Sequence, residues 1–431
     1  MANSNHTNGS AAPHDQFSNY TLATLGIHAD DSMHHDTDVA PSLHVSTTFR
    51  YPRDPEDLVP ASRSPQARQT PAAAGLPPSD TGYIYSRYQA PTSSRLELML
   101  SSFIRAPCLT YSSGLAAFHA LLVYLNPKVV AIGAGYHGCH GVLGLYQKLT
   151  GCKIVDLFDE ASWQDGGEGW SLGKGDVVHL ESPVNPTGLA FDIELFAARA
   201  HRRGAVLTMD ATFAPPPLLD PFKWGADYVM HSGTKYFGGH SDMLCGIVAI
   251  GRNEGWEKNY WGMLGERCNL GSTLGNMEAW LGVRSLRTMA LRVERQSRNA
   301  EQVVAFLDAC VRGEETGEAA QAVKKVIRRV QHASLQKEDM GWLKKQMPYG
   351  FGPVFSFDTH VEEQAKRLPS KLHLFHHATS LGGVESLIEW RHMSDNTVET
   401  TLCRVSIGAE TWEDLRDDLV QGCKALVAEG W

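Results

Sequence analysis

The sequence His231-Ser232-Gly233-Thr234-Lys235-Tyr236-Phe237-Gly238-Gly239 follows directly on a short apolar run at residues 228–230. An apolar run bounded by turn residues is typical of a buried β-strand. Lys235 therefore lies just past the carboxyl end of a predicted strand, between hydroxyl side chains and a Gly-Gly turn. A lone lysine is usually a solvated surface charge, but this setting favours a lysine that acts inside the protein.

Short apolar runs and helical patterns alternate on both sides of this motif. The predicted strands are residues 129–133, 153–158, 176–180, 205–209 and 228–230, and the predicted helices are residues 92–104, 114–125, 142–149 and 193–203. This alternation predicts an α/β fold with a mostly parallel sheet and helices on both faces. Ligands of such sheets bind beyond the carboxyl ends of the strands, so we expect the functional residues there.

Two more polar segments stand at predicted element ends. Asp210 follows the strand at residues 205–209, and Tyr111-Ser112-Ser113-Gly114-Leu115-Ala116 opens a helix. Free backbone N–H groups and the helix dipole suit a phosphate at such a position. Together with Lys235, these segments supply an amine that can form an imine, an acid that can keep a pyridine nitrogen protonated, and a phosphate cradle. Pyridoxal 5'-phosphate requires these three groups of a protein.

A different cofactor class is suggested by Gly133, Gly135 and Gly138, which form a literal G-x-G-x-x-G after a predicted strand and before a helix. Asp156 lies beyond it, as the dinucleotide-binding fingerprint asks. Glycine is abundant in this chain, however, with 40 residues. The bulky Tyr136 and His137 also stand where a pyrophosphate would approach. A dinucleotide-dependent oxidoreductase is therefore only the runner-up class.

Composition narrows the other possibilities. The 39 Lys and Arg against 48 Asp and Glu give a net charge of −9, which argues against nucleic acid or an anionic membrane as the partner. No apolar stretch is long enough to cross a membrane, and the polar N-terminus does not resemble a signal peptide. The eight cysteines are scattered and form no C-x-x-C. We therefore expect neither disulfides nor a metal site, and a cytoplasmic location.

In these motifs the chain resembles the γ-acting Cys/Met-metabolism enzymes that depend on pyridoxal phosphate, such as cystathionine γ-synthase and O-acylhomoserine sulfhydrylase. The resemblance runs from about residue 21 to residue 426. Besides the lysine motif, it rests on short blocks in family order: TLATLGIH (21–28), VSTTF (45–49), YIYSR (83–87), ESPVNPT (181–187), LRTMALR (286–292), SLGGVESL (380–387) and RVSIG (404–408).

The resemblance implies roles for individual residues. Lys235 would bond to the cofactor and then move protons on the substrate, and Asp210 would pair with the pyridine nitrogen. Arg404, helped by Asn185 and Ser380, would bind the substrate carboxylate, for which a guanidinium fork is well shaped. The remaining cofactor-binding residues would be Ser113, Gly114, Leu115, Thr212, Ser232 and Thr234, together with Tyr85 and Arg87 reaching a neighbouring subunit's cofactor. Such sharing implies a homodimer, and a tetramer is the expected assembly.

Several positions depart from the family pattern. A tyrosine that stacks on the cofactor and assists departure of the γ-substituent corresponds either to His137 or, with a shift of one residue, to Tyr136. Imidazole can also stack and exchange protons near neutral pH, so both residues stay candidates. The acidic residues with which cystathionine-forming relatives bind the amino group of cysteine are replaced by Ile84 and Thr379.

The resemblance implies fold type I of the pyridoxal-phosphate enzymes. We expect an N-terminal tail and arm at residues 1–89 (20–50 ordered, 51–80 a long loop), a large α/β cofactor domain at 90–285 and a small α+β domain at 286–431. The expected reaction is γ-replacement on an O-acyl-L-homoserine, with O-acetyl-L-homoserine as the favoured donor and a thiol, sulfide or carbon nucleophile as acceptor. Cystathionine synthesis and γ-elimination are the alternatives within the family.

Overall fold

The computed structural model describes residues 20–34, 37–58, 83–164 and 172–431. The predicted N-terminal tail and most of the predicted long loop therefore lie outside the described residues. The helices of the described ranges are α1 (Leu22–His28), α2 (Pro91–Ile104), α3 (Gly114–Leu125), α4 (His137–Thr150), α5 (Ile193–Arg202), α6 (Trp256–Leu270), α7 (Asn276–Leu286), α8 (Met289–Arg312), α9 (Glu318–Val326), α10 (Met340–Gln346), α11 (Glu362–Arg367) and α12 (Trp412–Ala428).

A seven-stranded sheet forms the centre of the first half of the chain. Its strands are β1 (Cys108–Tyr111), β2 (Val129–Ile132), β3 (Lys153–Asp156), β4 (Val177–Glu181), β5 (Val206–Asp210), β6 (Tyr228–Ser232) and β7 (Gly246–Ile250). Their spatial order is β1-β7-β6-β5-β4-β2-β3. The strands from β2 to β6 pair in parallel, whereas β7 runs antiparallel to both β6 and β1. The predicted fold class is confirmed.

The carboxyl ends of the central strands meet at one edge of this sheet. In the strand register Glu181 at the end of β4 stands opposite Asp210 at the end of β5, and Asp210 stands opposite Met230 of β6. The turn that follows β6 carries Lys235. Since all these strands are almost fully buried, their ends are held in fixed positions relative to one another.

A smaller five-stranded sheet follows toward the C-terminus, with the order β10-β11-β12-β9-β8. Its strands are β8 (Ile327–Gln331), β9 (Val354–Thr359), β10 (His376–His377), β11 (Leu387–Trp390) and β12 (Leu402–Ser406). α7 and α8 are two separate helices, and the break between them falls at Arg287 and Thr288. The domain limits at 89/90 and 285/286 stay a proposal.

The sheets pack against helices through separate apolar clusters. Leu207 and Val178 of the first sheet and Phe355 and Phe357 of the second are fully buried. All eight cysteines are free and buried. No helix in the described ranges is both long and apolar enough to cross a lipid bilayer.

Candidate active site

A cavity of about 430 Å³ opens at the carboxyl ends of β4, β5 and β6. It collects thirteen of the fifteen residues that the sequence singled out. These are Ser113, Gly114, Leu115, Tyr136, His137, Asn185, Asp210, Thr212, Ser232, Thr234, Lys235, Ser380 and Arg404. Residues from the first sheet and from the segment before β11 thus form one site.

Tyr85 and Arg87 lie outside this cavity, on the protein surface. The Arg87 guanidinium lies over the Tyr85 ring at 5.4 Å from its centroid. The backbone carbonyl of Arg87 accepts a hydrogen bond from the Thr273 hydroxyl at 3.2 Å. The segment is therefore anchored to its own subunit, while the Tyr85 and Arg87 side chains are exposed and do not line its cavity. Contact with a partner's cofactor stays a prediction.

Lys235 is half-buried in the cavity wall, and its amine has one hydrogen-bond partner among the described residues. Lys235 Nζ donates to Ser380 Oγ at 2.7 Å. Burial, with repulsion from the Arg404 guanidinium, lowers the pKa of Lys235 to about 8. A substantial fraction of the amine is therefore unprotonated near neutral pH, which is the form that attacks a carbonyl carbon.

Asp210 is the buried carboxylate at the end of β5. Burial raises its pKa, although the hydrogen bonds from Thr212 and the charge of Lys235 act in the opposite direction. The Thr212 backbone N–H donates to Asp210 Oδ1 at 2.9 Å, and Thr212 Oγ1 accepts from the Ser232 N–H at 2.8 Å. Asp210 forms no ion pair with any described residue. It is thus an acid in need of a positive partner.

The N-terminus of α3 also forms part of the cavity wall. Ser113 caps this helix, since its Oγ accepts from the Ala116 N–H at 3.1 Å. A side chain at Gly114 would place its Cβ 3.1 Å from the Cβ of Ser232, so any other residue would push Ser232 away by a few tenths of an ångström. The first backbone N–H groups of a helix have no helical acceptor. This turn can therefore hold a phosphate next to the Ser232 hydroxyl.

Arg404 of β12 points into the cavity from the second sheet and is buried. Its guanidinium donates to Asn185 Oδ1 at 3.2 Å and to the Ser380 carbonyl at 3.0 Å. It also contacts Glu389 Oε2 at 2.6 Å, because Glu389 and Arg404 are directly opposite in the β11–β12 register. The predicted trio of Asn185, Ser380 and Arg404 is therefore assembled around one guanidinium, and Glu389 is an addition that the sequence did not reveal.

Tyr136 precedes α4 and is held in place by Glu181. The Tyr136 backbone N–H donates to Glu181 Oε2 and the Asn185 N–H to Oε1, both at 2.7 Å. Burial and the nearby Asp210 raise the pKa of Glu181 to about 8. The Tyr136 ring folds over Gly138, where a Cβ would lie 2.5 Å from the ring. Burial also raises the pKa of the Tyr136 phenol.

His137 is directed toward a residue that the sequence analysis did not select, Arg391. The Arg391 Nη2 lies 3.0 Å from His137 Nδ1. A guanidinium can only donate, so Nδ1 is the acceptor in this contact. The same nitrogen lies 3.5 Å from Asp395 Oδ2. Arg391 lines the cavity and is only 3% exposed. A single arginine in a sequence gives no signal of such burial, since its acidic partners become visible only in the fold.

The glycine-rich segment that suggested a dinucleotide site has a packing explanation. A Cβ at Gly133 would lie 2.2 Å from the Phe158 ring, and one at Gly135 would lie 2.4 Å from Glu181 Oε2. The lack of a side chain at Gly133 and Gly135 therefore leaves room for Phe158 and Glu181. The G-x-G-x-x-G spacing needs no pyrophosphate to explain it.

The residues present fit pyridoxal 5'-phosphate. Asp210 has no ion-pair partner among the described residues, the α3 turn offers backbone N–H groups, and the amine of Lys235 lies in the wall of the same cavity. When bound, the cofactor supplies an aldehyde for amines and a ring that takes up the electron pair left by a departing proton. The protein's own groups would bind, orient and carry protons: Asp210 at the ring nitrogen and Lys235 at the substrate carbons.

The fold and this cavity define a pyridoxal-phosphate enzyme of fold type I. More narrowly, the chain belongs to the family of Cys/Met metabolism PLP-dependent enzymes, which its sequence matches over residues 23–424. Its cofactor is therefore pyridoxal 5'-phosphate. The expected family and cofactor are confirmed.

Named relatives include enzymes of several activities. The chain is 33% identical to a cystathionine beta-lyase of Lactococcus lactis subsp. cremoris, over 78% of this chain and 87% of that protein. It is 30% identical to cystathionine gamma-synthase of Escherichia coli, over 90% of this chain and 93% of that protein. The crystal structure of metB from Corynebacterium glutamicum is similar with a TM-score of 0.78 and 28% identity, covering 95% of this chain and 99% of that one.

Proposed function

We propose that this enzyme catalyses γ-replacement on an O-acyl-L-homoserine, with O-acetyl-L-homoserine as the donor. Lys235 would remove and return protons on the donor, Asp210 would hold the ring nitrogen protonated, and Arg404 with Asn185 would bind the donor's carboxylate. Expulsion of the acyloxy group would leave a carbon that accepts a nucleophile. The similarity to a gamma-synthase over 90% of the chain supports this reaction class.

The acceptor that we propose lacks an amino group: sulfide, a simple thiol or a stabilised carbanion of the β-keto-acid type. One observation carries this choice. Among the described residues that line the cavity, the carboxyl groups are those of Glu181 and Asp210. Both Glu181 oxygens accept backbone N–H groups, and Asp210 is reserved for the ring. No lining carboxylate of the described chain is left to meet the ammonium group of cysteine.

The two replaced positions agree with this reading. Thr379 lines the cavity and is neutral, whereas Ile84 is a half-exposed residue of the segment beside Tyr85. An ammonium group that loses one hydrogen bond in the cavity is disfavoured by roughly 1–3 kcal/mol, or about ten- to a hundredfold. Cysteine should therefore be a poor acceptor.

Product analysis tests the proposal. The holoenzyme is given O-acetyl-L-homoserine with cysteine, sulfide, methanethiol and a β-keto acid at equal concentrations, and the products are separated by mass. The proposal requires a replacement product from an acceptor other than cysteine. Dominant cystathionine would contradict the choice of acceptor, and 2-oxobutanoate with ammonia as the main products would show γ-elimination instead.

We also propose a cytoplasmic homo-oligomer with shared active sites, in which Tyr85 and Arg87 serve the neighbouring subunit.

A further inference from the structure

We propose that Arg391 forms a second carboxylate-binding site in the cavity, beside Arg404, and that it recognises a second acidic group of the donor or of the acceptor. This inference deepens the proposed function, and it rests on that function only for the identity of the two reactants. Binding of an unreactive ligand tests it independently.

The first observation is the placement of charge around Arg391. Arg391 and Arg404 both contact Glu389 Oε2, at 3.2 Å and 2.6 Å. Asp395 lies 3.4 Å from Arg391 on its other side. Both arginines line the cavity, but neither Glu389 nor Asp395 is among its lining residues in the described chain. The acidic groups therefore lie behind the two guanidiniums, which present their donors to whatever fills the cavity.

The second observation is the hydrogen bonding of the guanidinium. Arg391 Nη1 donates to Ser394 Oγ at 2.9 Å and to Glu389. Nη2 donates to Nδ1 of the exposed His137 at 3.0 Å and, in a longer contact of 3.4 Å, to Asp395 Oδ2. Nε is buried and has no hydrogen-bond partner among the described residues. A planar guanidinium binds carboxylates through pairs of N–H groups such as Nε and Nη2. A ligand carboxylate that replaced the imidazole would satisfy both of these nitrogens.

The third observation is that the carboxyl groups that line the cavity in the described chain belong to other strands than Arg391 and Arg404. The lining carboxyl groups, Glu181 and Asp210, lie at the ends of β4 and β5, and burial raises the pKa of both. The wall formed by Arg391, Arg404 and His137 therefore favours anions. One guanidinium suits the α-carboxylate of an amino acid, and the second suits one further carboxylate.

A pair of unreactive amino acids of equal length tests the site directly. L-2-Aminoadipate carries a distal carboxylate where L-norleucine carries a methyl group, and neither has a γ-leaving group. Their dissociation constants for the holoenzyme are measured from changes in the visible spectrum of the bound cofactor. We expect aminoadipate to bind at least about tenfold more tightly, because a charge-assisted pair of hydrogen bonds is gained.

Substitutions at Arg391 then separate recognition from structural support. Arg391→Met should reduce the preference for aminoadipate to within about twofold, while norleucine binding stays near the wild-type value. Arg391→Lys keeps the positive charge next to Glu389 and Asp395 and should retain part of the preference, which controls for misfolding. Equal binding of both ligands to the wild type, or an unchanged ratio in Arg391→Met, would overturn the proposal. Equal weakening of both ligands would show that Arg391 serves the α-carboxylate or the fold instead.

Two kinetic comparisons identify the source of the second carboxylate. For the donor, kcat/KM is compared between O-succinyl- and O-acetyl-L-homoserine. For the acceptor, mercaptoacetate is compared with its methyl ester. Arg391→Met should abolish the preference for the reactant with the extra carboxylate in one of the two comparisons. If the substitution changes neither preference, Arg391 does not select the reactants. If no donor and acceptor give a replacement product, the proposed function is wrong. The ratio of the dissociation constants of aminoadipate and norleucine still tests the carboxylate site in that case.

Discussion

Lys235 and Ser380 are 145 positions apart in the chain, and the Lys235 amine donates a 2.7 Å hydrogen bond to the Ser380 hydroxyl. Lys235 follows β6 of the large sheet, whereas Ser380 lies in the segment that leads to β11 of the small one. The active-site amine is thus oriented by a residue from the second sheet. Ser380 itself has a φ of +77°, a left-handed backbone conformation that costs energy for any residue with a Cβ atom.

Two substitutions of Ser380 distinguish the loss of its hydroxyl from the relief of its backbone strain. Ser380→Ala and Ser380→Gly both remove the hydrogen bond to Lys235, but only glycine relieves the left-handed conformation. We expect the glycine variant to be more stable than the alanine variant by about 1 kcal/mol. Urea denaturation of the two apoproteins measures this difference. An alanine variant as stable as the glycine variant would contradict the inferred strain.

The pH dependence of cofactor attachment should report the lowered pKa of Lys235. The unprotonated amine is the reactive form, so the rate of covalent attachment to the apoenzyme should rise with pH through about 8 and level off above it. An ordinary lysine would continue to gain reactivity up to about pH 10. Stopped-flow absorbance gives the rate. Lys235→Ala is the control, and after borohydride reduction its mass spectrum should show no attached cofactor.

Asp210→Asn should keep the fold and much of the cofactor but lower kcat/KM on the order of 100-fold or more, because an amide cannot hold the ring nitrogen protonated. The Thr212 N–H can still donate to the amide oxygen, so the local geometry is preserved. Activity and cofactor absorbance are measured on the same preparation. Thr212→Ser, which retains the backbone donor and a hydroxyl, should be nearly normal. Wild-type rates in Asp210→Asn would show that Asp210 does not pair with the ring nitrogen.

The stacking position is assigned by comparing Tyr136 with His137. We expect Tyr136 to be the residue over the cofactor, because its ring lies over Gly138 while His137 is turned to Arg391. Tyr136→Phe should therefore lower kcat on the order of 100-fold, the range for loss of a proton-transfer group. His137→Gln keeps an acceptor for Arg391 and should lower kcat less than about tenfold. The reverse ranking of the two variants in steady-state rates would assign the position to His137.

The sequence predicted the parallel part of the fold well, because its strands are short apolar runs that end in polar residues. The two antiparallel strands β1 and β7 were not predicted. They lie outside the strand–helix alternation on which the prediction depended. The break between α7 and α8 falls at Arg287 and Thr288, where no glycine or proline marks it in the sequence.

Most of the candidate site was visible as chemistry at strand ends, but the contacts of Glu181 and Arg391 were not. Glu181 was seen at the end of a strand, yet its partner Tyr136 is 45 positions away and is bound through the backbone. Arg391 can be buried because Glu389 and Asp395 balance its charge. The positions of these residues along the sequence do not indicate that they form ion pairs. Both residues act through contacts that only the folded chain creates.

The double acceptor role of Glu181 also restricts how this enzyme can be diversified. Its two oxygens receive N–H groups from opposite directions, at Tyr136 and at Asn185. Glutamine would turn one acceptor into a donor facing another donor, and aspartate is one carbon shorter than this span requires. In a saturation library aimed at new substrates, this position should therefore return only the parent residue. Thr379 also lines the cavity, and its side chain has no hydrogen bond to any described residue, so it is the position where the cavity can be reshaped.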